Sequence, residues 1–452
     1  MNISLIQKHN VTGPKYTSYP TVPYWDDSFS AESWTNSVTH TFAENHGEGI
    51  SLYIHLPFCE SMCTFCGCTK RITKNHNVEG PYIQAILKEW GMYCRLLNEK
   101  PLIKAIHLGG GTPTFFASQN LEDLINGIFS RGRKAAECDM SFEGHPNNTT
   151  SKHLQKLFDL GFRRVSFGVQ DYAEKVQVAI HRIQPFDNVA KVTVAAREIG
   201  YSSIGHDLIF GLPFQTTENI IDTIEKTVSL LPSRIAFYSY AHVPWIKGND
   251  QRGFDAADLP MEDEKRMLYA TGKTLLEKHG YREVGMDHFA LASDTLFTAS
   301  DESTLHQNCM GYSATKTQMR IGLGVSAISD SWYGFAQNVE NLEDYHQLIE
   351  WNQLPLFKGY ALTDEDLIIR KHMLNLMCRF ETSWSQDNLY FDEIHEVLKE
   401  LKQMEKDKLL EISCDSIKIT SAGKPFVRNI CMAFDLRMKR AMPEPPLFSM
   451  TV

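Results

Sequence analysis

Residues 51–68 read SLYIHLPFCESMCTFCGC. A short strand-forming run is followed at once by cysteines at positions 59, 63, 66 and 68, in the spacing C-x3-C-x2-C-x-C. Iron–sulfur clusters are held by thiolates, and a short loop brings several of them to one cuboid. Three thiolates on four irons leave one iron open, as in a working metal site. The stretch therefore predicts a [4Fe–4S] cluster in a loop that follows a β-strand.

A structural zinc site is the alternative for this loop. Such sites close four ligands around one ion and usually draw them as two separated pairs. Here the cysteines lie in one loop without a second pair nearby, so His55 or Cys68 would have to complete the set. The spacing disfavours zinc, but it leaves open whether Cys68 is itself a ligand of the cluster.

Further strand-like runs alternate with amphipathic helical stretches after this loop. The six runs are Ser51–Leu56, Ile103–Leu108, Asp139–Glu143, Arg164–Val169, Ser203–Phe210 and Arg234–Tyr240. Alternating βα units indicate a parallel sheet, and six units are fewer than the eight of a closed barrel. We therefore predict an α/β fold, a partial, open six-unit βα barrel with its chemistry at the C-terminal ends of the strands.

Two smaller regions flank this barrel. We expect an N-terminal extension over residues 1–48, the barrel with its flanking elements over 49–358, and a smaller, mainly helical domain over 359–452. The last region has helical patterns at 363–380, 391–405 and 422–438 and a hairpin pattern at 409–420. These patterns predict a winged-helix-like domain. We expect this domain to cover the active site and not to bind DNA.

Composition narrows the class of protein. The 452 residues include 45 Lys and Arg against 55 Asp and Glu, a net charge of −10. A mildly acidic chain gives no general reason to expect nucleic-acid or membrane partners. The first twenty residues lack the apolar core of a signal peptide, and no stretch approaches the roughly 20 apolar residues of a membrane span. These features predict a cytoplasmic protein.

The cysteine loop and a series of other motifs resemble a known family. The loop and the Gly109–Thr114 stretch, GGGTPT, are similar to the radical S-adenosylmethionine signature. More specifically, the chain resembles the oxygen-independent coproporphyrinogen III oxidases, or coproporphyrinogen dehydrogenases. The motifs that carry this likeness are YTSYPT at 16–21, YIHLPF at 53–58, GVQD at 168–171, DLIFGLP at 207–213, YAHVP at 240–244, GMDHFA at 285–290, GVSAIS at 324–329 and RNICM at 428–432.

The resemblance implies an oxidoreductase of heme biosynthesis. Members of the family convert two propionate side chains of coproporphyrinogen III to vinyl groups, giving protoporphyrinogen IX, through a 5′-deoxyadenosyl radical. It implies a [4Fe–4S] cluster and two molecules of S-adenosylmethionine as cofactors. It also implies a monomer that receives electrons from a donor such as a flavodoxin or ferredoxin.

Individual residues match the family's functional positions. Cys59, Cys63 and Cys66 match the cluster ligands, and Cys68 matches a cysteine that the family retains without using it as a ligand. Tyr53, His55, Cys68 and Glu143 are the implied catalytic residues. The implied cofactor-binding residues are Tyr53, Phe65, Gly110, Gly111, Thr112, Glu143, Gln170, Arg182, Asp207, Ala241 and Ile328.

Some positions depart from the family or extend beyond it. His145 stands where an acidic residue is usual, and Cys309 and Met310 stand where a Phe-Gln pair is expected. A substrate with four carboxylates also needs a local basic patch in an acidic enzyme. We expect that patch among the lysines and arginines next to the cluster loop and the sixth strand, namely Lys70, Arg71, Lys74 and Lys247.

Three other functions remain open. The heme chaperones related to the family share the three cluster cysteines but are typically shorter and lack the CGC ending at Cys68. A related radical methyltransferase opens heme. A zinc-stabilised regulatory protein that uses its C-terminal domain is the alternative from a different class. Cys68 and the intact 16–21 segment favour the oxidase.

Overall fold

The structure is a computed structural model that describes residues 5, 8–244, 251, 253–385 and 389–441. Its strands are β1 Ile50–Leu56, β2 Phe58–Cys59, β3 Arg71–Ile72, β4 Leu102–Gly110, β5 Arg133–Gly144, β6 Arg164–Gln170, β7 Ser203–Phe210, β8 Arg234–Ser239, β9 Arg282–Gly285, β10 His288–Ala290, β11 His306–Asn308, β12 Gly311–Ser313, β13 Arg320–Leu323, β14 Ile328–Asp330, β15 Gly334–Asn338, β16 Leu356–Ala361, β17 Glu381–Ser383, β18 Leu410–Ile412 and β19 Ser416–Ile419. Its α-helices are α1 Ala31–Asn45, α2 Glu79–Leu97, α3 Ser118–Arg131, α4 Ser151–Leu160, α5 Glu174–Ala179, α6 Phe186–Ile199, α7 Thr217–Ser229, α8 Glu262–Lys278, α9 Thr295–Asp301, α10 Leu342–Glu350, α11 Asp364–Arg379, α12 Ile394–Lys406, α13 Val427–Phe434 and α14 Leu436–Arg440.

One large open sheet organises the chain. Its strand order is β16-β15-β14-β13-β1-β4-β5-β6-β7-β8-β10-β9. The six predicted strands are β1 and β4–β8, and they pair in parallel in chain order, so the predicted six-unit barrel is confirmed. Strand β13 adds a seventh parallel strand beside β1, and the remaining strands of the sheet are antiparallel extensions at its two edges.

The two faces of each barrel strand have different surroundings because successive side chains point to opposite faces. On β1, Leu52 and Ile54 belong to the main hydrophobic core beneath the helices. Tyr53 lies on the other face and stacks on His107 of β4, with ring centroids 6.1 Å apart. The outer face is therefore packed against helices, whereas the inner face carries polar and aromatic side chains.

The C-terminal region packs as a second, smaller unit. Strands β17, β19 and β18 form an antiparallel sheet that includes the predicted hairpin, and helices α11, α12 and α13 pack with it around a separate apolar core. Strand β16 pairs with β15 in the large sheet, and the predicted boundary at residue 359 lies inside this strand. Tyr16 and Tyr19 of the N-terminal extension are buried in the C-terminal core. In the described part of the chain, no helix has the length and apolarity needed to cross a membrane.

Candidate active site

The cysteine loop is closed at its base by main-chain hydrogen bonds. The amide of Arg71 donates to the carbonyl of Pro57 at 2.8 Å, and the amide of Thr73 donates to the carbonyl of Cys59 at 2.9 Å. At its tip, the hydroxyl of Thr64 donates to the carbonyl of Ala179 at 3.0 Å. The loop is thus fixed at its base and at its tip. It lies at the edge of the sheet where the parallel strands end, which is where such folds bind ligands.

Each of the three predicted ligand cysteines has a distinct environment. Cys63 is buried, and Cys59 and Cys66 are half-buried. The Thr112 hydroxyl lies 3.2 Å from the Cys59 sulfur, and an Arg182 guanidinium nitrogen lies 3.8 Å from the Cys63 sulfur. Burial raises the pKa of the Cys59 thiol to about 11. The hydrogen bond from Cys68 lowers the pKa of the Cys66 thiol to about 6, which places Cys68 against a ligand position.

The donor set consists of three thiols from one short loop. Iron–sulfur clusters are held by cysteine thiolates, each bound to its own iron. The three thiols, with the hydroxyl and guanidinium beside them, therefore suit a [4Fe–4S] cluster.

The glycines after β4 are required by close approaches of the main chain. The Gly111 amide donates to the Leu56 carbonyl at 2.9 Å. A Cβ atom on Gly111 would lie 2.6 Å from the Pro57 carbonyl oxygen and 3.0 Å from the Cys59 sulfur. Gly110 has a φ of +113°, and a Cβ atom there would lie 2.9 Å from the His55 ring. The main chain of this loop can thus lie directly beside the sulfurs.

Tyr53 and His55 form one side of the site. The Thr69 carbonyl lies 2.9 Å from His55 Nε2, and because a carbonyl only accepts, this nitrogen carries the hydrogen. His55 Nδ1 then accepts from the Tyr53 hydroxyl at 3.0 Å. Burial lowers the pKa of His55, so the ring is held neutral in this tautomer.

Glu143 lies at the end of β5 and faces the same space. Its carboxylate accepts from the Gly110 amide and from the His107 imidazole, each at 3.3 Å. A partly exposed carboxylate with remaining acceptor capacity suits hydroxyl or amine groups of a ligand. His107 was not predicted from the sequence. It alternates with Gly109 on the inner face of β4, so the two-residue period of the strand would have identified it.

A second group of predicted residues lies further around the strand ends. Asp207 accepts from the Ser166 hydroxyl at 2.7 Å, and burial raises the pKa of its carboxyl to about 6. Gln170, with a φ of +70°, and Arg182 both lie within 2.8 Å of where a Cβ atom on Gly168 would stand. The Arg182 guanidinium donates to the Gly168 carbonyl at 2.7 Å, and a second nitrogen lies 3.8 Å from the Cys63 sulfur. Its Nε is buried and has no hydrogen-bond partner among the described residues.

The remaining predicted positions complete the wall of the site. The buried Gln251 side chain donates to the carbonyls of both Phe65 and Ala241, at 3.1 and 2.9 Å, and so ties these two positions together. Gln251 lies in an irregular connection, and no pattern in the sequence singles it out. Ile328 lies against Gly322, which pairs with Tyr53 in the sheet.

The departures from the family lie in or beside the site. Met310 lines the interior cavity together with Glu143 and Asp207. Cys309 is close enough to Tyr53 to affect its ionisation. His145 lies near Arg182, and burial lowers the pKa of its imidazole to about 3, so it is uncharged where the family usually has an acid.

The predicted basic patch is only partly at the site. Lys70 donates to the Cys66 carbonyl at 3.2 Å and is therefore next to the cluster loop. Arg71 is exposed and pairs with Glu343 at 3.0 Å, on the outer surface. Lys74 is also exposed. Lys247 lies outside the described residues.

The comparisons with known proteins identify the superfamily. The family model of the radical SAM superfamily matches residues 53–227, which contain the cysteine loop and the first strands of the barrel. The chain is thus a radical S-adenosylmethionine protein, and this class uses a [4Fe–4S] cluster with S-adenosylmethionine.

Full-length relatives define the family more narrowly. The chain is 35% identical over 440 residues to the oxygen-independent coproporphyrinogen III oxidase of Helicobacter pylori, which covers 96% of both chains. It is 35% identical over 455 residues to the Escherichia coli protein of that name, covering 98% of this chain and 97% of the relative. The solved structure of the E. coli coproporphyrinogen III oxidase, HemN, superposes with a TM-score of 0.90 at 33% identity over 96% of this chain and 99% of that one. The chain belongs to the oxygen-independent coproporphyrinogen III oxidase family.

Proposed function

We propose that this chain is an oxygen-independent coproporphyrinogen III oxidase. It converts two propionate side chains of coproporphyrinogen III to vinyl groups and gives protoporphyrinogen IX in heme biosynthesis. The observation that carries the proposal is the three-cysteine loop held against Gly110–Thr112 at the strand ends, with Tyr53, His55 and Glu143 facing the same space. The family relatives have this activity in their names over nearly the full length of the chain.

The cluster and the first S-adenosylmethionine have a defined set of proposed partners. Cys59, Cys63 and Cys66 hold the cluster, which with S-adenosylmethionine supplies the one-electron chemistry of the reaction. The open main chain at Gly110 and Gly111 lies beside the sulfurs and offers polar groups to an amine and a carboxylate. Glu143 accepts hydroxyl or ammonium donors of the cofactor. The half-buried Tyr53 and the buried His55 form a wall that keeps water away from the reacting carbon.

A second S-adenosylmethionine molecule is proposed for the neighbouring group of residues. Gln170 ends β6, Arg182 lies beside Gly168 of that strand, and Asp207 of β7 pairs with Gly168. Gln251 joins Phe65 and Ala241. The Arg182 guanidinium suits a carboxylate, which it can bind with two parallel hydrogen bonds. Asp207, which is half-buried and has a raised pKa, suits the hydroxyls of a ribose.

The setting of the reaction belongs to the same proposal. We expect a cytoplasmic monomer that takes electrons from a donor such as a flavodoxin or ferredoxin. The net charge of −10 and the packed helices around the sheet support a protein that works without a membrane or nucleic acid.

The decisive experiment is anaerobic. The chain is reconstituted with iron and sulfide and then incubated with coproporphyrinogen III, S-adenosylmethionine and a reductant. Protoporphyrinogen IX and 5′-deoxyadenosine are expected together. Their absence from a preparation with an intact cluster would overturn the oxidase proposal, and tight heme binding without decarboxylation would favour the chaperone alternative.

A further inference from the structure

Glu89 is a carboxylate that lies fully buried on helix α2, beneath the large sheet. It accepts hydrogen bonds from the Gly324 amide at 2.8 Å, from the Asn338 side-chain amide at 2.7 Å and from the Tyr345 hydroxyl at 2.7 Å. All three donors are neutral, and burial raises the pKa of the carboxyl to about 7. An apolar side chain is ordinarily more favourable in such a core, so these hydrogen bonds point to a role in arranging the segments that they join.

Glu89 holds one turn, residues 324–327, by two routes. The first is its hydrogen bond to the Gly324 amide. The second passes through Asn338 at the end of β15, whose side-chain amide donates both to Glu89 and, at 2.8 Å, to the Gly324 carbonyl. The turn includes two residues with left-handed φ, Gly324 at +98° and Ser326 at +58°. Because a residue with a side chain keeps such a φ only when its surroundings hold it, the turn depends on these contacts.

The turn leads directly into Ile328, which is one of the predicted cofactor-binding residues. The main chain of Ile328 lies close against β13, because a Cβ atom on Gly322 would stand 2.6 Å from the Ile328 carbonyl oxygen. Gly322 in turn pairs with Tyr53 of β1. A displacement of the turn would therefore move Ile328 relative to Tyr53 across the neighbouring strand.

A second residue of α2 ties the same turn to the end of β1. The Tyr82 hydroxyl donates to the His55 carbonyl at 2.9 Å and accepts from the Val325 amide at 3.0 Å. A Cβ atom on Gly324 would lie 2.7 Å from that His55 carbonyl oxygen, so the turn and the strand end are in close contact. Tyr82 and Glu89 are seven residues apart and so lie on one face of the helix. This face sets the distance between His55 and the turn.

We propose that Glu89 is a positioning residue for the S-adenosylmethionine molecule at the cluster. It fixes the 324–327 turn against the end of β1, so that Ile328 stands at the separation from Tyr53 and His55 that the cofactor fits. Glu89 acts through the turn and not by contact with the cofactor, because its carboxylate is fully buried and is directed at the Gly324 amide. The inference rests on the proposed function, which assigns the Tyr53–His55 wall to this cofactor.

Two variants weaken the hold on the turn, and a third is the matched control in the same group. Glu89→Gln puts an amide nitrogen, which cannot accept from Asn338, in place of one carboxylate oxygen. Asn338→Leu removes the donor to the Gly324 carbonyl. Tyr345→Phe removes the donor from α10 but leaves the hydrogen bonds of Glu89 with Gly324 and Asn338.

The first measurement is the affinity of the cluster-loaded protein for S-adenosylmethionine without tetrapyrrole. Titration is followed by the electron paramagnetic resonance spectrum of the reduced cluster, which reports the molecule bound there. The dissociation constant is expected to rise about tenfold in Glu89→Gln and in Asn338→Leu, as for the loss of one hydrogen bond to a charged group, and to stay unchanged in Tyr345→Phe. Iron and sulfide contents should be equal in all three variants.

The second measurement is amide hydrogen exchange of residues 324–329 in the same cluster-loaded protein without the cofactor. Exchange is expected to accelerate in Glu89→Gln and Asn338→Leu and not in Tyr345→Phe. A role in stability alone would lower the midpoint of thermal unfolding in all three variants and leave the dissociation constants as they are.

Unchanged dissociation constants in both turn variants would overturn the proposal, and so would an equal rise in Tyr345→Phe. The proposed function is tested separately. If the unchanged enzyme produces no protoporphyrinogen IX, the proposed function fails, and the titration with S-adenosylmethionine still tests Glu89 by itself.

Discussion

At Gly111, the addition of a single methyl group should disrupt the cluster loop. A Cβ atom there would meet the main chain of Pro57 at 2.6 Å, and main chain cannot move aside as a flexible side chain can. We expect Gly111→Ala to lose most of the reconstituted iron and sulfide while the secondary structure remains. Gly67→Ala is the matched control in the same loop, because a Cβ atom on Gly67 meets nothing within 4 Å. Equal iron contents in the two variants would show that the loop does not need this close approach.

Cys63 and Cys68 should separate cluster binding from turnover. Cys63 is buried and faces the Arg182 guanidinium, so Cys63→Ser is expected to abolish the iron–sulfur absorption spectrum. Cys68 is exposed, and its thiol forms a hydrogen bond with Cys66. The Cys68→Ser variant is therefore expected to keep a full cluster and to lose product formation. A full, active cluster in Cys63→Ser, or loss of the cluster in Cys68→Ser, would contradict the ligand assignment.

At the residue scale, a functional position could be predicted from the sequence only where it belongs to a motif. The cysteines and glycines stand in motifs, and the structure brings them together as the motifs require. Gln251 holds Phe65 and Ala241 but lies in an irregular connection. Gly13 and Pro14 are held by Arg428, which is more than 400 residues away in the chain. Contacts of this range leave no periodic trace in the sequence.

At the element scale, the contact of β7 with α6 contains a titratable group that the chemistry does not use. His206 is fully buried, its Nε2 lies 2.9 Å from the Thr193 hydroxyl, and burial lowers the pKa of its imidazole to about 3. The unfolded chain binds a proton near pH 6.5 that the folded chain does not bind, so this group lowers the free energy of unfolding as the pH falls below about 6.5. The loss amounts to about 2 kcal/mol at pH 5.

The His206→Gln variant tests this contribution. The glutamine amide keeps a partner for Thr193 but does not titrate, so the unfolding free energy of the variant should fall less between pH 7 and pH 5 than that of the unchanged protein. Urea unfolding at the two pH values measures the difference. His395→Gln, at an exposed position of α12, is the control and should follow the unchanged protein. Parallel curves for His206→Gln and the unchanged protein would contradict the assignment.

The strands of the barrel were predictable because strands and helices alternate along this part of the chain. The six parallel strands are separated by helices at regular intervals, and each was found. Strands β13–β16 were not predicted, because they are three to six residues long and β13 pairs with β1 across some 270 positions. Glu89 in α2 shows the same limit. It is fully buried and accepts from Tyr345, Asn338 and the amide of Gly324, although a glutamate in an amphipathic helix predicts an exposed position.

At the scale of the whole molecule, Arg428 connects the two ends of the described chain. A lysine cannot donate from two fixed nitrogens to the carbonyls of Gly13 and Pro14 as a guanidinium does. We expect Arg428→Lys to accelerate amide hydrogen exchange in residues 13–20, because the carbonyls of Gly13 and Pro14 lose their fixed donors. The cluster content should not change. Arg379→Lys, at the exposed end of α11, is the control. Unchanged exchange in residues 13–20 would show that Arg428 does not hold the segment.

The arrangement of the whole molecule was the least predictable level. The three regions were expected from changes in sequence texture, but the contacts between the N-terminal extension and the C-terminal region were not. Tyr16 and Tyr19 lie in the core of the C-terminal domain, so the N-terminal extension is shared between the two packed units. Charge provides some of this connection, since Arg370 of α11 forms an ion pair with Asp330 of the large sheet at 2.6 Å. Such pairs are specified by spatial proximity and have no fixed spacing along the chain.

The hydrogen bonds from Arg428 to the Gly13 and Pro14 carbonyls also imply an order of folding steps during biosynthesis. A chain that leaves the ribosome from its N-terminus can complete the cysteine loop and the six parallel strands well before α13 is made. The Gly13 and Pro14 carbonyls cannot accept from Arg428 until then. We expect a nascent chain to become competent for cluster insertion before residues 13–16 reach their final position.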